Sequence, residues 1–193
     1  LGAQAVLGAM VDRLGLPMML KPDQGGSALG AQVVRDAAEL PAAMVDCLAY
    51  GNTVLAERFV DGVEVAVAVL EDADGPVALP AVEIVPASGV YDYTTRYTAG
   101  LTDFHTPARL GAGTAAAVAD LAVAAHRLLG LRDVSRTDAI VAPDGTVHFL
   151  EANSSPGLTE TSLLPMAIEA AGRSLGDIYA ALVDRAVARA RSA

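Results

Sequence analysis

Residues 133–153, DVSRTDAIVAPDGTVHFLEAN, constrain the fold of this chain more than any other stretch. Two strand-length apolar runs flank Asp144-Gly145, a pair that favours a two-residue hairpin turn. With those two residues as the turn, Pro143 faces Thr146, Asp138 faces Glu151 and Arg136 faces Asn153. Side chains alternate between the two faces of a strand, so these polar residues share one face, with Ile140, Ala142, Val147 and Phe149 beside them. His148 falls on the opposite face by the same parity, which makes it a poor candidate for a base. Two carboxylates opposed across a ladder, roughly 5 Å apart, repel each other unless positive charge lies between them. A hard divalent cation suits that place, since Mg²⁺ takes carboxylate and amide oxygens and shares its shell with substrate phosphates. The plain alternative is the solvent face of an ordinary hairpin, and the apolar neighbours weigh against it.

Elsewhere helix and strand signals alternate without an internal repeat or low-complexity linker. A helix near 2–14 leads to a short apolar strand, Pro17 to Lys21, and then to the glycine-rich loop PDQGGSALG. A strand near 30–34, a helix near 37–49 and the strand TVLAERFV follow; Asp61-Gly62 turns into VEVAVAVL, and Asp74-Gly75-Pro76 turns toward VALPAVEIVP. Residues 87–109 carry Tyr91, Tyr93, Arg96, Tyr97 and His105 with no clear period and read as a long functional loop. A helix near 112–129 precedes the hairpin, and helices near 162–171 and 174–191 follow it. Lys21 ends a buried strand just before the glycines, where an ammonium and a folded-over backbone can hold a polyanion. The order is not that of a Walker A loop, whose lysine follows the glycines.

Composition limits the partners. A net charge of -10 with three Phe and no Trp excludes a basic, aromatic-bearing nucleic-acid surface. The apolar start is interrupted by Gln4, Asp12 and Arg13 and has no basic lead, so it reads as neither signal peptide nor membrane anchor. The single Cys47 excludes an internal disulfide and reads as a small buried helix residue; a soluble protein of the cytoplasm is expected. Because the chain opens on a helix already under way, with no Met and no cap, it is expected to be an excerpt of a longer protein.

The blocks MLKPDQGGSALG, LAERFVDGVEVAVAVL, VYDYTTRYTAG and SRTDAIVAPDGTVHFLEANSSPGLTETSLLPMA, in that order, resemble the ATP-grasp superfamily and within it the D-alanine:D-alanine ligase family. The resemblance covers nearly the whole chain, and the last block is its most specific part. It implies an α+β fold of two subdomains with largely antiparallel sheets enclosing a nucleotide site, here a central subdomain over 1–64 and a C-terminal one over 65–193. It implies that Lys21 binds ATP phosphates, with Gly25, Gly26 and Ser27 in the flap above them. Glu57, Arg58, Phe59 and Val60 resemble the hinge that holds adenine, Glu64 the ribose-binding acid, and Arg96 a phosphate contact. Asp138, Glu151 and Asn153 match the family's ligands to Mg²⁺, or Mn²⁺ in its place. Arg136 and the Gly157 amide match the groups that stabilise the tetrahedral oxyanion; Ser27 and Ser162 join them as catalytic residues. Tyr97, Ser162 and Leu163 match contacts to the amino-acid substrates, while Ser162 also suits a helix cap.

This chain departs from the family pattern in having Arg96 where a lysine is usual, Ala28 where a second flap serine is common, and Ser135 where glycine often precedes the arginine. The family's N-terminal domain, which supplies the acid that anchors the first amino acid, is expected upstream of Leu1. The implied reaction is ATP-dependent ligation of two D-alanines for the peptidoglycan precursor, by a full-length homodimer that takes only small-molecule substrates; this chain alone is expected to make no dipeptide. The rivals are another ATP-grasp ligase, for a different amino or hydroxy acid, and a non-catalytic nucleotide-binding module.

Overall fold

The computed structural model describes residues 2–192. They form two compact units, one of the residues up to Val60 with Pro86–Asp103, the other of Asp61–Val85 with the residues from Phe104 onward. The sequence reading draws one boundary, after residue 64; the compact units divide after Val60 and bring Pro86–Asp103 into the first.

In the first unit, α1 (Ala3–Leu14), β1 (Met18–Pro22), β2 (Gln32–Val34), α2 (Leu40–Leu48) and β3 (Val54–Arg58) surround an antiparallel sheet ordered β2-β1-β3. Alternation along β1 buries Met18 and Leu20 with Val34 of β2 and with Leu40, Ala43 and Cys47 of α2; Leu7, Met10, Val11 and Leu14 of α1 pack on the same cluster. The short 3-10 turn Ala37–Glu39 that leads into α2 is fixed by a capping box, in which the Asp36 side chain accepts from the backbone of Ala38 and Glu39 reaches back to the Asp36 amide. Cys47 is a buried free thiol, as its composition suggests; its Sγ donates to the Gly30 carbonyl at 3.1 Å, and burial, helped by Asp46, pushes its pKa up. With one face of β1 committed to this core, Met19 and Lys21 project from the other.

The larger sheet runs β7-β6-β4-β8-β9, with β5 paired to β4: β4 (Val63–Asp72), β5 (Gly75–Ala78), β6 (Val82–Pro86), β7 (Thr102–His105), β8 (Val134–Val141) and β9 (Val147–Asn153). Val65 through Leu70 of β4 are buried without a break, which explains why this run is apolar at every position. Val65, Val67 and Val69 pack with Ala139, Val141 and, from α4 (Ala112–Leu128), Val118 and Ala122. Ala66, Ala68 and Leu70 point the other way. α5 (Leu163–Ala170) packs against β4 and buries Leu163, Leu164, Ala167 and Ile168, while α6 (Leu175–Ser192) lies at the surface. The sheets are antiparallel, as the α+β reading requires.

The structure corrects two local expectations. Residues 87–109 are not loop throughout: they hold α3 (Tyr93–Tyr97), capped by the Asp92 carboxylate on the Thr95 amide, and β7 on the sheet edge. Elements of four or five residues are too short to show a period. The hairpin turn is also longer than Asp144-Gly145. The Ala142 amide donates to the Thr146 carbonyl and Gly145 to Ala142, so Pro143, Asp144 and Gly145 all lie in the turn. Val141 then pairs with Val147, Ile140 with His148 and Ala139 with Phe149, one place off the expected register. A β-bulge between Ala139 and Asp138 leaves Leu150 without a partner and restores the pairing Asp138↔Glu151 and Arg136↔Asn153.

Candidate active site

The bulge decides what the β8–β9 face carries. Asp138, Arg136, Glu151 and Asn153 share it as expected, but Val147 and Phe149 pair with Val141 and Ala139 and so belong to the α4 side. His148, paired with Ile140, lies on the polar face, not opposite it, because the extra residue inverts the parity between 149 and 151. Glu64 faces the same way from β4, as the partner of Ile140.

Arg136 and Asp138 are 8 % and 5 % exposed and are joined side by side, Nε to Oδ1 and Nη2 to Oδ2, both at 2.7 Å. This fork-on-carboxylate geometry fixes the guanidinium plane. Asn153 sits between the two acids, its Nδ2 donating to Glu151 Oε1 at 3.2 Å and to Asp138 Oδ2 at 3.4 Å. Glu151 is exposed. Among the described residues no three His, Cys, Asp or Glu side chains are placed to hold a metal. The set is instead two carboxylates and one amide, all hard oxygen donors, which is an incomplete shell of the kind Mg²⁺ completes with phosphate oxygens and water. The donor types therefore fit such an ion, to which Asn153, now donating its Nδ2 to both acids, would present its amide oxygen.

Beyond β9, residues 154–162 form the loop that leads into α5. A Cβ on Gly157 would stand 2.6 Å from Ser162 Oγ, so the glycine is what allows the Ser162 side chain to lie against this backbone. Ser162 Oγ shares a hydrogen bond with Thr159 Oγ1 at 2.8 Å, and its amide donates to the Thr159 carbonyl. Ser162 occupies the N-cap position of α5 but makes no side-chain cap bond, so its hydroxyl is not committed to the helix. Leu163 follows as the first, buried residue of α5.

In the first unit, β1 and β3 pair Met19 with Glu57 and Lys21 with Leu55, which puts Lys21 and Glu57 on the face away from the core. They meet at 2.6 Å, each about a third exposed at 29 % and 39 %. Arg58 turns to the other side and donates to the Leu14 carbonyl at 3.3 Å; the Phe59 amide donates to Pro17. The flap that begins after β1 holds Ser27 at φ 59° and Ala28 at φ 56°, a left-handed pair unusual for residues with a Cβ. Ser27 Oγ and Tyr97 Oη share a hydrogen bond at 2.5 Å, joining the flap to α3. The Tyr93 and Tyr97 rings pack tilted at 49° with centroids 4.8 Å apart, and the Arg96 guanidinium lies 4.5 Å over the Tyr91 ring. Thr159 has no signal in the sequence, since its bond to Ser162 shows only once the loop is folded.

Two mixed units with antiparallel sheets, one bearing a lysine beside a glycine-rich flap and the other an Arg-x-Asp strand beside a Glu-x-Asn strand, define an ATP-grasp fold. The profile described as D-ala D-ala ligase C-terminus matches residues 2–184, so the chain belongs to that family. It is 45% identical over 190 residues to the D-alanine--D-alanine ligase of Anaeromyxobacter dehalogenans, covering 97% of this chain and 60% of that protein. The chain thus spans somewhat under two thirds of the length of such relatives. Among solved structures it is similar to the VanG D-Ala:D-Ser ligase of Enterococcus faecalis, with a TM-score of 0.80 and 31% identity, over 94% of this chain and 52% of that one. The Bacillus anthracis D-alanine--D-alanine ligase complexed with ATP shares the fold, with a TM-score of 0.75 at 24% identity, over 94% and 56%.

Proposed function

We propose that the protein carrying this chain is an ATP-dependent carboxylate-amine ligase that joins two D-alanines through an acyl phosphate, for the peptidoglycan precursor. The observation that supports this most is the buried Arg136–Asp138 fork with Glu151 and Asn153 on one sheet face, in a chain of the D-Ala-D-Ala ligase family. In this reading a carboxylate oxygen of the first D-alanine attacks the γ-phosphorus of ATP and ADP leaves. The amine of the second attacks the acyl carbon, and phosphate leaves from the tetrahedral intermediate. Lys21 and Arg96 hold phosphates; Glu57 and the backbone through Val60 take the adenine, and Glu64 the ribose. Asp138, Glu151 and Asn153 would hold Mg²⁺, which neutralises charge on the transferring phosphoryl group. Arg136, held in plane by Asp138, and the Gly157 amide oppose the negative charge that develops on the acyl oxygen; a charge fixed beforehand needs no reorganisation during the reaction. Ser162 and Leu163 take the second amino acid. Ser27, joined to Tyr97 by a hydrogen bond, serves as a catalytic flap residue in this reading, and Tyr97 as a substrate contact.

Its setting in this reading is the cytoplasm, as a homodimer. No helix among the described residues is long and apolar enough to cross a membrane. A second reading, with D-serine as the acceptor, draws on the 31% identity to a D-Ala:D-Ser ligase. The test is release of ADP, phosphate and dipeptide by the full-length protein with ATP, Mg²⁺ and D-alanine alone, then with D-serine added. Dipeptide formation that needs D-alanine is the expected result; a mixed D-Ala-D-Ser product formed in preference would move the acceptor to serine. Turnover indifferent to D-alanine would overturn the ligase reading.

A further inference from the structure

The loop 154–162 carries the Gly157 amide and the Ser162 hydroxyl, and its shape sets where the two point. Inside it, Thr159 and Ser162 hold each other. From outside, Tyr179 in the second turn of α6 donates its phenolic O–H to the Leu158 carbonyl at 2.8 Å. Leu158 adjoins Gly157 on one side and Thr159 on the other, so fixing its peptide plane constrains both halves of the loop. The donor is itself anchored. Arg173, just before α6, grips Asp72 at the end of β4 with two bonds at 2.8 and 3.1 Å, and the Asp177 amide donates to Ser174 Oγ in the first turn. A continuous line of contacts therefore runs from the central strand through Arg173 and α6 to the Leu158 carbonyl. Burial pushes the Tyr179 phenol up from its ordinary pKa, so it stays a donor through the neutral range.

We infer that Tyr179 is a positioning residue, whose bond to the Leu158 carbonyl sets the loop that carries the Gly157 amide to the acyl oxygen and Ser162 to the second amino acid. This rests on the ligase reading above. Tyr179→Phe in the full-length enzyme removes the hydroxyl and keeps the ring. Loss of one neutral hydrogen bond at a positioning site is expected to raise KM for the second D-alanine or lower kcat by about three- to tenfold, with KM for ATP unchanged. Acyl phosphate that waits longer for the amine is lost to water, so ADP formed per dipeptide should rise above the parent's value. Amide exchange across 157–162 should quicken in the same variant. A merely structural tyrosine would lower all rates together and leave the ADP-to-dipeptide ratio and the loop's exchange as in the parent; that outcome, or unchanged kinetics, overturns the inference. If the parent makes no dipeptide the ligase reading fails instead, and the exchange comparison alone decides whether Tyr179 sets the loop.

Discussion

Asp138 and Glu151 face each other across β8 and β9, yet neutralising each should have different consequences for the fold. Asp138 is 5 % exposed and takes both bonds of a buried arginine at 2.7 Å. Replacing it by Asn leaves Arg136 facing a neutral amide, and breaking such a pair costs on the order of 3 kcal/mol. For a chain of this size that corresponds to a fall of about 6–12 °C in melting temperature. Glu151 is exposed, and its described contact is the Asn153 amide at 3.2 Å, which a glutamine carbonyl can accept equally. Glu151→Gln should therefore melt within about 2 °C of the parent, as surface substitutions do, while abolishing Mg²⁺-dependent ligation in the full-length protein. The assay pairs thermal melts of both variants, in one buffer, with ADP release under saturating ATP, Mg²⁺ and D-alanine. A Glu151→Gln variant that melts as low as Asp138→Asn would refute the assignment of burial and pairing. One with unchanged turnover would remove Glu151 from the metal site.

Two further outcomes follow from close contacts elsewhere. A Cβ at Gly62 would lie 2.2 Å from the Val141 carbonyl and 2.8 Å from Ile140 Cγ2; Gly62→Ala should lose about 2–3 kcal/mol, whereas Gly113→Ala in α4, with nothing within 4 Å, should not destabilise, a contrast that urea titration reads directly. The Glu83 carboxyl, buried and held by the side chain and amide of Arg109, has its pKa lowered, first by the side-chain hydrogen bonds. A depressed carboxylate contributes stability that is complete above its unfolded pKa and is lost as pH falls through the folded value. The gap in melting temperature between parent and Glu83→Gln should thus be full at pH 7 and shrink below about pH 4.5.

Much of this chain was legible because its signals are local. The buried run of β4, the long helices α4 and α6 and the strands around Asp144-Gly145 each announce themselves by composition and period over a handful of neighbours. The pairing of Asp138 with Glu151 was also reached from sequence, but through a turn that the protein does not use. The three-residue turn displaces the register by one and the bulge at Leu150 displaces it back, so the two departures cancel at the site and nowhere else. Neither is encoded by a pattern within either strand. The bulge lets Val141, Ala139 and Val147 pack toward α4 while Glu151 faces away, an arrangement that is defined only once the helix is packed on the sheet. The same holds for His148, which alternation assigns to the wrong face, and for α3 and β7, which are too short to carry a period. It holds most for Ser27 with Tyr97 and Leu158 with Tyr179, pairs separated by 70 and 21 positions. Which residue types are present, and where strands and helices run, is a property of neighbours along the chain; which hydroxyl meets which partner is decided by packing between elements, and only the folded chain contains it.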